Sequence, residues 1–175
     1  MKKLIVVIAF LFGSTFAFAQ SVFDKFEDKE GVTSVVVTQK MFEMMSKVKA
    51  DAKGKDTQQY LNLLKKLDNL KVFTTASTKI GSDMKATVNA YLKSNPLEEL
   101  MRVNNAGKNV KIYIKSGASE NMVKELLMLI EGANLKDADT IVLSLTGNFS
   151  LEEIAILTEK MSLPGGDELK KASKK

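Results

Sequence analysis

Leu97-Glu98-Glu99-Leu100-Met101-Arg102-Val103 and Val110-Lys111-Ile112-Tyr113-Ile114-Lys115-Ser116, with Asn104-Asn105-Ala106-Gly107 between them, decide the fold. The Asn-Asn-Ala-Gly stretch is a hairpin signal between two extended arms. In the second arm Val110, Ile112 and Ile114 alternate with Lys111, Tyr113 and Lys115. Strict alternation describes a strand with one buried face and one face toward water, as antiparallel sheets have. Downstream, Thr140 to Thr146 reads as a strand. Met122 to Glu131 fits a helix through Val123, Leu127 and Ile130, but flanking Gly117 and Gly132 favour a strand in a meander. Upstream, Val32 to Thr38 is β-branched almost throughout, and Leu70 to Ala76 carries a Val-Phe-Thr-Thr core.

Helical spacing fills the gaps. Lys40 to Val48 places Met41, Met44, Met45 and Val48 on one stripe. Thr57 can cap a helix carrying Tyr60, Leu61, Leu64 and Leu67. A third helix starts at about Ser82, presents Met84, Val88, Tyr91 and Leu92, and ends before Pro96, which biases Asn95 away from helical geometry. Ser150-Leu151-Glu152-Glu153 has the spacing of a capping box ahead of Ile154, Leu157 and Met161, and Leu163-Pro164-Gly165-Gly166 stops that helix. The expected fold is α+β: a two-layer sandwich with a largely antiparallel sheet, helices packed on one face and the other face partly wet. The first half could include one parallel pair through a right-handed crossover.

The N-terminus reads as an address. Lys2 and Lys3 precede an apolar run from Leu4 to Phe12, and Ala17-Phe18-Ala19 puts small residues at the −3 and −1 positions before Gln20. This is a cleavable secretory signal, cut between Ala19 and Gln20. The run is shorter than the ~20 residues of a permanent span. Residues 1–19 are then the signal, 20–163 a single domain and 164–175 a basic flexible tail with Lys170, Lys171, Lys174 and Lys175. Removing nineteen residues from 175 leaves 156, enough for one core without staples. Losing Lys2 and Lys3 lowers the net charge from +5 to +3, much of it in the tail, so nucleic acid is not indicated as a partner.

The absences exclude more than the motifs include. There is no histidine, cysteine or tryptophan. Thiolate or imidazole zinc sites, His-dependent nucleophile systems and haem ligation through His or Cys are closed, and no cofactor is expected. Ser82-Asp83-Met84-Lys85 matches S-x-x-K, which in penicillin-interacting serine enzymes supplies a nucleophile and a base. Lys115-Ser116-Gly117 and Ser119-Glu120-Asn121 resemble two further elements of those enzymes, but in the reversed order. A helix cap at Ser82 and a solvated Lys85 account for the same residues. Met41, Met44 and Met45 would offer thioethers to Cu(I), although the same spacing fills an amphipathic helix core. Tyr113 between Lys111 and Lys115 is the one place where an aromatic among cations suggests a recognition surface. Asn148-Phe149-Ser150 is formally a sequon, explained equally by the capping role of Ser150.

Segment by segment, Gly31-Val32 leading into Val35-Val36-Val37, the hairpin arms Glu99 to Val103 and Val110 to Ile114, and Leu143-Ser144-Leu145-Thr146-Gly147-Asn148-Phe149 resemble domain of unknown function 4252, a family of small exported Bacteroidetes proteins. The resemblance implies a Gram-negative envelope location, no established activity and no functional residues to carry over. Some relatives lie near sigma-factor regulation, which would imply a link to envelope stress. Together these readings favour an exported, periplasmic, non-enzymatic module that meets an unknown envelope protein or component. The alternatives are a Ser82/Lys85 hydrolase and a methionine-based Cu(I) carrier.

Overall fold

The computed structural model describes residues 21–47, 54–105, 107–119, 121–135 and 138–172; the expected signal and its Ala19–Gln20 junction lie outside them. A 3-10 helix, Ser21–Phe26, leads into β1 (Thr33–Thr38), α1 (Gln39–Ser46), α2 (Lys55–Leu64) and β2 (Leu67–Thr75). Next come α3 (Thr78–Ser94), β3 (Glu98–Asn105), β4 (Lys108–Ser116), β5 (Met122–Leu135) and β6 (Ala138–Ser150). Two helices, α4 (Leu151–Met161) and α5 (Gly166–Ala172), complete the order.

The six strands form one sheet in the order β1-β2-β6-β5-β4-β3, with every neighbouring pair antiparallel. The α+β class and the antiparallel sheet are as expected, and Met122–Leu135 is a strand. The parallel pair that the first half could have included does not occur among the described residues: β1 and β2 pair antiparallel through α1 and α2. The crossover instead joins β2 to β3, which run in the same direction at separated positions, with α3 as the bridge. The last strand, β6, enters between β2 and β5 and is the link between the N-terminal hairpin and the β3-β4-β5 meander.

Helices cover both faces rather than one. On the first face Leu70, Val72, Ile112, Leu126, Met128 and Leu143 pack beneath Phe42 of α1, Leu63 and Leu64 of α2, Ile154 and Leu157 of α4, and Leu169 of α5. On the second face Phe73, Leu127, Leu129 and Val142 pack beneath Met84, Val88 and Tyr91 of α3 and Phe23 and Phe26 of the 3-10 helix. The two central strands are apolar at consecutive positions, Leu126 to Ile130 and Ile141 to Leu143, and so need cover on both sides. Fully burying a large apolar side chain contributes roughly 1.5–3 kcal/mol. Phe23 and Phe26 therefore anchor a short 3-10 helix that would not persist alone.

Local chemistry sets the boundaries. α3 starts four residues before Ser82, because Ser77 is its cap: the Ser77 hydroxyl accepts from the Ile80 amide at 3.4 Å. Its end falls at Asn95, which is extended ahead of Pro96. α4 opens on the reciprocal capping box, with the Glu153 amide donating to Ser150 Oγ and the Ser150 amide donating to the Glu153 carboxylate. At the C-terminus a basic tail was expected, but Gly166–Ala172 is helical. Leu169 pins it into the first-face core, and Lys108 pairs with Glu168 at 2.8 Å. Gly165, at φ +77°, makes the reversal between α4 and α5 that a side chain would strain.

Candidate functional site

The second face of the sheet divides into a covered and an uncovered half, and its rows follow from the strand register. One row reads Val36-Lys71-Ser144-Leu127-Tyr113-Glu99 across the sheet, and the next reads Ser34-Phe73-Val142-Leu129-Lys111-Arg102. A third row runs Thr38-Asn69-Thr146-Glu125-Lys115. α3 and the 3-10 helix lie over β2, β6 and β5. Among the described residues no helix is centred over β4 and β3 on this side.

The covered half holds buried polar chemistry. Lys71 is 6% exposed in an otherwise apolar strand and pairs with Asp24 and with Glu27, the latter at 2.6 Å. Burial alone would lower its pKa, but hydrogen bonds and charges from those two carboxylates outweigh it and hold the ammonium above its ordinary value. Beside it, Lys25 and Lys29 both reach Asp83 at 2.9 Å, and their hydrogen bonds hold that carboxyl low. Tyr91 Oη donates to Glu125 Oε1 at 2.6 Å, both residues being buried. Burial pushes the Glu125 carboxyl up, against the hydrogen bond from Tyr91 and the charge of Lys115. Desolvation, and then the facing carboxylate, push the Tyr91 phenol far above its usual value.

The uncovered half presents Lys111, Tyr113 and Lys115 from β4 beside Glu99 and Arg102 from β3. Arg102 grips Glu99 through Nε at 3.0 Å and Nη2 at 2.6 Å, a bidentate pair that keeps Glu99 ionised. Tyr113 is half-buried at the border, packed against the second-face cluster; burial and the Glu99 charge raise its phenol. No carboxylate among the described residues comes within ion-pair distance of Lys111 or Lys115. The patch therefore carries two lysines around one aromatic ring, neither in a close ion pair, with the Lys111 charge felt by Glu99 and the Lys115 charge by Glu125. Sequence alternation had already placed these three side chains on one face.

The other candidates are dispersed. Ser82 is exposed on α3, and its hydroxyl donates back to the Thr78 carbonyl at 2.9 Å, while Lys85 pairs with Glu131 at 2.7 Å. The hydroxyl and the amine thus have separate partners. Met41 and Met44 were expected in the core, yet they are 46% and 52% exposed; Phe42 between them takes the buried position, and Met45 packs partly against the first-face core. Among the described residues no three carboxylates gather into a metal-sized group. A cleft of about 870 Å³ between α2 and α4 is lined by Lys65, Lys66, Glu152 and Glu153, and Lys66 and Glu153 pair across it at 2.5 Å. Among the described residues no helix is long and apolar enough to cross a membrane.

A family model described as Domain of unknown function (DUF4252) matches residues 26–157, which span the sheet from its first strand into α4. The chain belongs to that family. The family description assigns no activity, and no curated protein and no solved structure matches the chain. The matched DUF4252 region takes in the strands of both halves of the second face, but begins after Phe23, Asp24 and Lys25 and ends before α5.

Sequence reasoning missed the Lys71–Asp24–Glu27 cluster and the Tyr91–Glu125 pair. A signal for the first was present: Lys71 interrupts the run Leu70, Val72, Phe73 at a position facing the sheet interior. Such a lysine must find carboxylates. Glu125, beside Leu126 and Leu127, carried the same message.

Proposed function

We propose that the protein is an exported, non-enzymatic binding module of the cell envelope, and that the uncovered half of the second sheet face is its contact surface. The observation that carries this reading is the asymmetry of that face. Helices seal β2, β6 and β5, while Lys115 is exposed and Lys111 and Tyr113 are half-buried, and no carboxylate among the described residues comes within ion-pair distance of either lysine. A ring flanked by two lysines suits an anionic partner surface: tyrosine is a common interface anchor, and the lysines supply charge complementarity. The commitments of Ser82 to a helix carbonyl and of Lys85 to Glu131 support a non-catalytic role. Export rests on the signal pattern of residues 1–19.

Photo-cross-linking from a benzophenone side chain at position 113, in cells of the native host, tests the surface. A discrete adduct that disappears with Lys111→Glu and Lys115→Glu is the expected result. Adducts that form equally from an exposed control position such as Asn89 would refute the assignment. Sequencing the N-terminus of the recovered protein tests export, with Gln20 expected first.

A further inference from the structure

The two edges of the sheet are built to opposite rules. β3, at one edge, carries Glu98, Glu99 and Arg102, and its pairing with β4 skips Leu100. Charges and bulges are the usual devices that keep an edge strand from recruiting another strand. β1, at the other edge, has none of them. It reads Thr33-Ser34-Val35-Val36-Val37-Thr38, without a charge or a proline, and pairs with β2 without a register shift. Val35 and Val36 point to opposite faces, yet they are 48% and 39% exposed. On α1, the helix that directly follows β1, Met41 and Met44 are exposed as well.

From this we infer that β1 is a dimerisation edge, and that its occupant is β1 of a second copy of this chain. The strand is complementary to itself. An antiparallel pair must oppose residues that share a face, so a two-fold axis normal to the sheet passes through a residue position. Centred on Val36, the axis sets Val36 against Val36, Val35 against Val37, and Ser34 against Thr38. Valine meets valine, and hydroxyl meets hydroxyl. No charge enters the strand pairing, and the charges nearest the exposed methionines, Lys40 and Glu43, already form an opposite-sign pair at 3.7 Å. A charged partner strand would find nothing in β1 to balance it. The product is one sheet made of two six-stranded halves, with the guarded β3 edges at its far ends. This surface is separate from the Lys111–Tyr113–Lys115 patch, so either can fail without the other.

The chain has no cysteine, which makes the test clean. Sedimentation velocity of the purified protein should show a concentration-dependent dimer. Val36→Lys, folded by circular dichroism, should weaken it at least about 100-fold by placing like charges opposite each other. Val36→Cys should form an intermolecular disulfide under mild oxidation, because opposed residues in an antiparallel pair lie about 4.5–5.5 Å apart at Cα, within disulfide range. Asn104→Cys, on the guarded edge, should not. A wild-type protein that stays monomeric at 100 μM (a concentration of about that order separates specific pairing from none) would overturn the inference and leave the edge to a foreign strand. So would a dimer that survives Val36→Lys, or one whose Val36→Cys form does not cross-link.

Discussion

Replacing Tyr91 by phenylalanine isolates one hydrogen bond in the covered half of the second face. The ring stays: Phe23 packs against it at 5.4 Å between centroids, and that contact needs no hydroxyl. What disappears is the 2.6 Å bond to Glu125, between residues 3% and 7% exposed. A hydrogen bond to a charged group contributes about 1.5–3 kcal/mol, and a neutral one about 1 kcal/mol. The cost should therefore depend on whether Glu125 is ionised. Burial raises its pKa, so the folded state holds its proton more tightly than the unfolded chain. The stability from this group is complete below the unfolded value and is lost as pH rises through the folded one. Tyr91 and Lys115 oppose that shift, and without the phenol only Lys115 remains. Tyr91→Phe should thus cost about 2 kcal/mol at pH 8 and about half as much at pH 5. With a urea m-value of about 2 kcal/mol/M, the midpoint falls by roughly 1 M at pH 8. Glu125→Gln in the same background should flatten the difference between the two pH values. Equal midpoint shifts at pH 5 and pH 8, or a shift under about 0.3 M at pH 8, would refute the reasoning.

Three further groups of substitutions test the scaffold. Asp24→Asn with Glu27→Gln strands Lys71 in the sheet; urea unfolding should show a loss of about 2 kcal/mol, less than a dry pair would cost because both carboxylates are partly solvated, whereas Lys71→Met should cost under about 1 kcal/mol. Since Lys71 is raised in the fold, its contribution is present below its unfolded pKa of 10.5 and is lost as pH climbs through the higher folded value, which alkaline unfolding of wild type against Lys71→Met would read. Gly81→Ala, ordinarily favourable in a helix, puts a Cβ 2.4 Å from Thr140 Oγ1 and should cost about 1–3 kcal/mol by thermal denaturation, with Thr140→Ala restoring most of it. Ser150→Ala removes half of the α4 capping box and should cost about 1 kcal/mol, while Ser82→Ala should be near neutral in the same urea assay.

Much of the sheet was legible because period-two alternation is a local property. Val110, Ile112 and Ile114 announced their face without help from the rest of the chain. The stripe Met84, Val88, Tyr91 announced a helix equally well, but periodicity does not say which side of a sheet a helix will take. That information lay in the central strands, where Leu126 to Ile130 has no polar face to turn to water. On α1, the methionines carried the expected stripe while Phe42, one position away, had the larger apolar surface to bury. Leu169 was lost among charges because one leucine makes no pattern, though it suffices to dock a two-turn helix into an existing core. For the candidate surface, alternation put Lys111, Tyr113 and Lys115 together. Only the arrangement of helices revealed that, among the described residues, no helix is centred over this half of the face.

The place of β6 has a consequence for how the chain must be made. It is the penultimate stretch of the family-matched region, yet it sits in the middle of the sheet, bonded to β2 on one side and β5 on the other. A nascent chain that has not yet supplied Ile141 to Leu145 consists of a two-stranded ribbon and a three-stranded meander tied by α3, each with a raw edge where the missing strand belongs. Neither piece has a finished core, so the two faces close in one late step. Such pairing of distant segments is slow and leaves strands open to wrong partners while it waits. The chain is therefore one that gains from being kept unfolded until its C-terminal quarter is available.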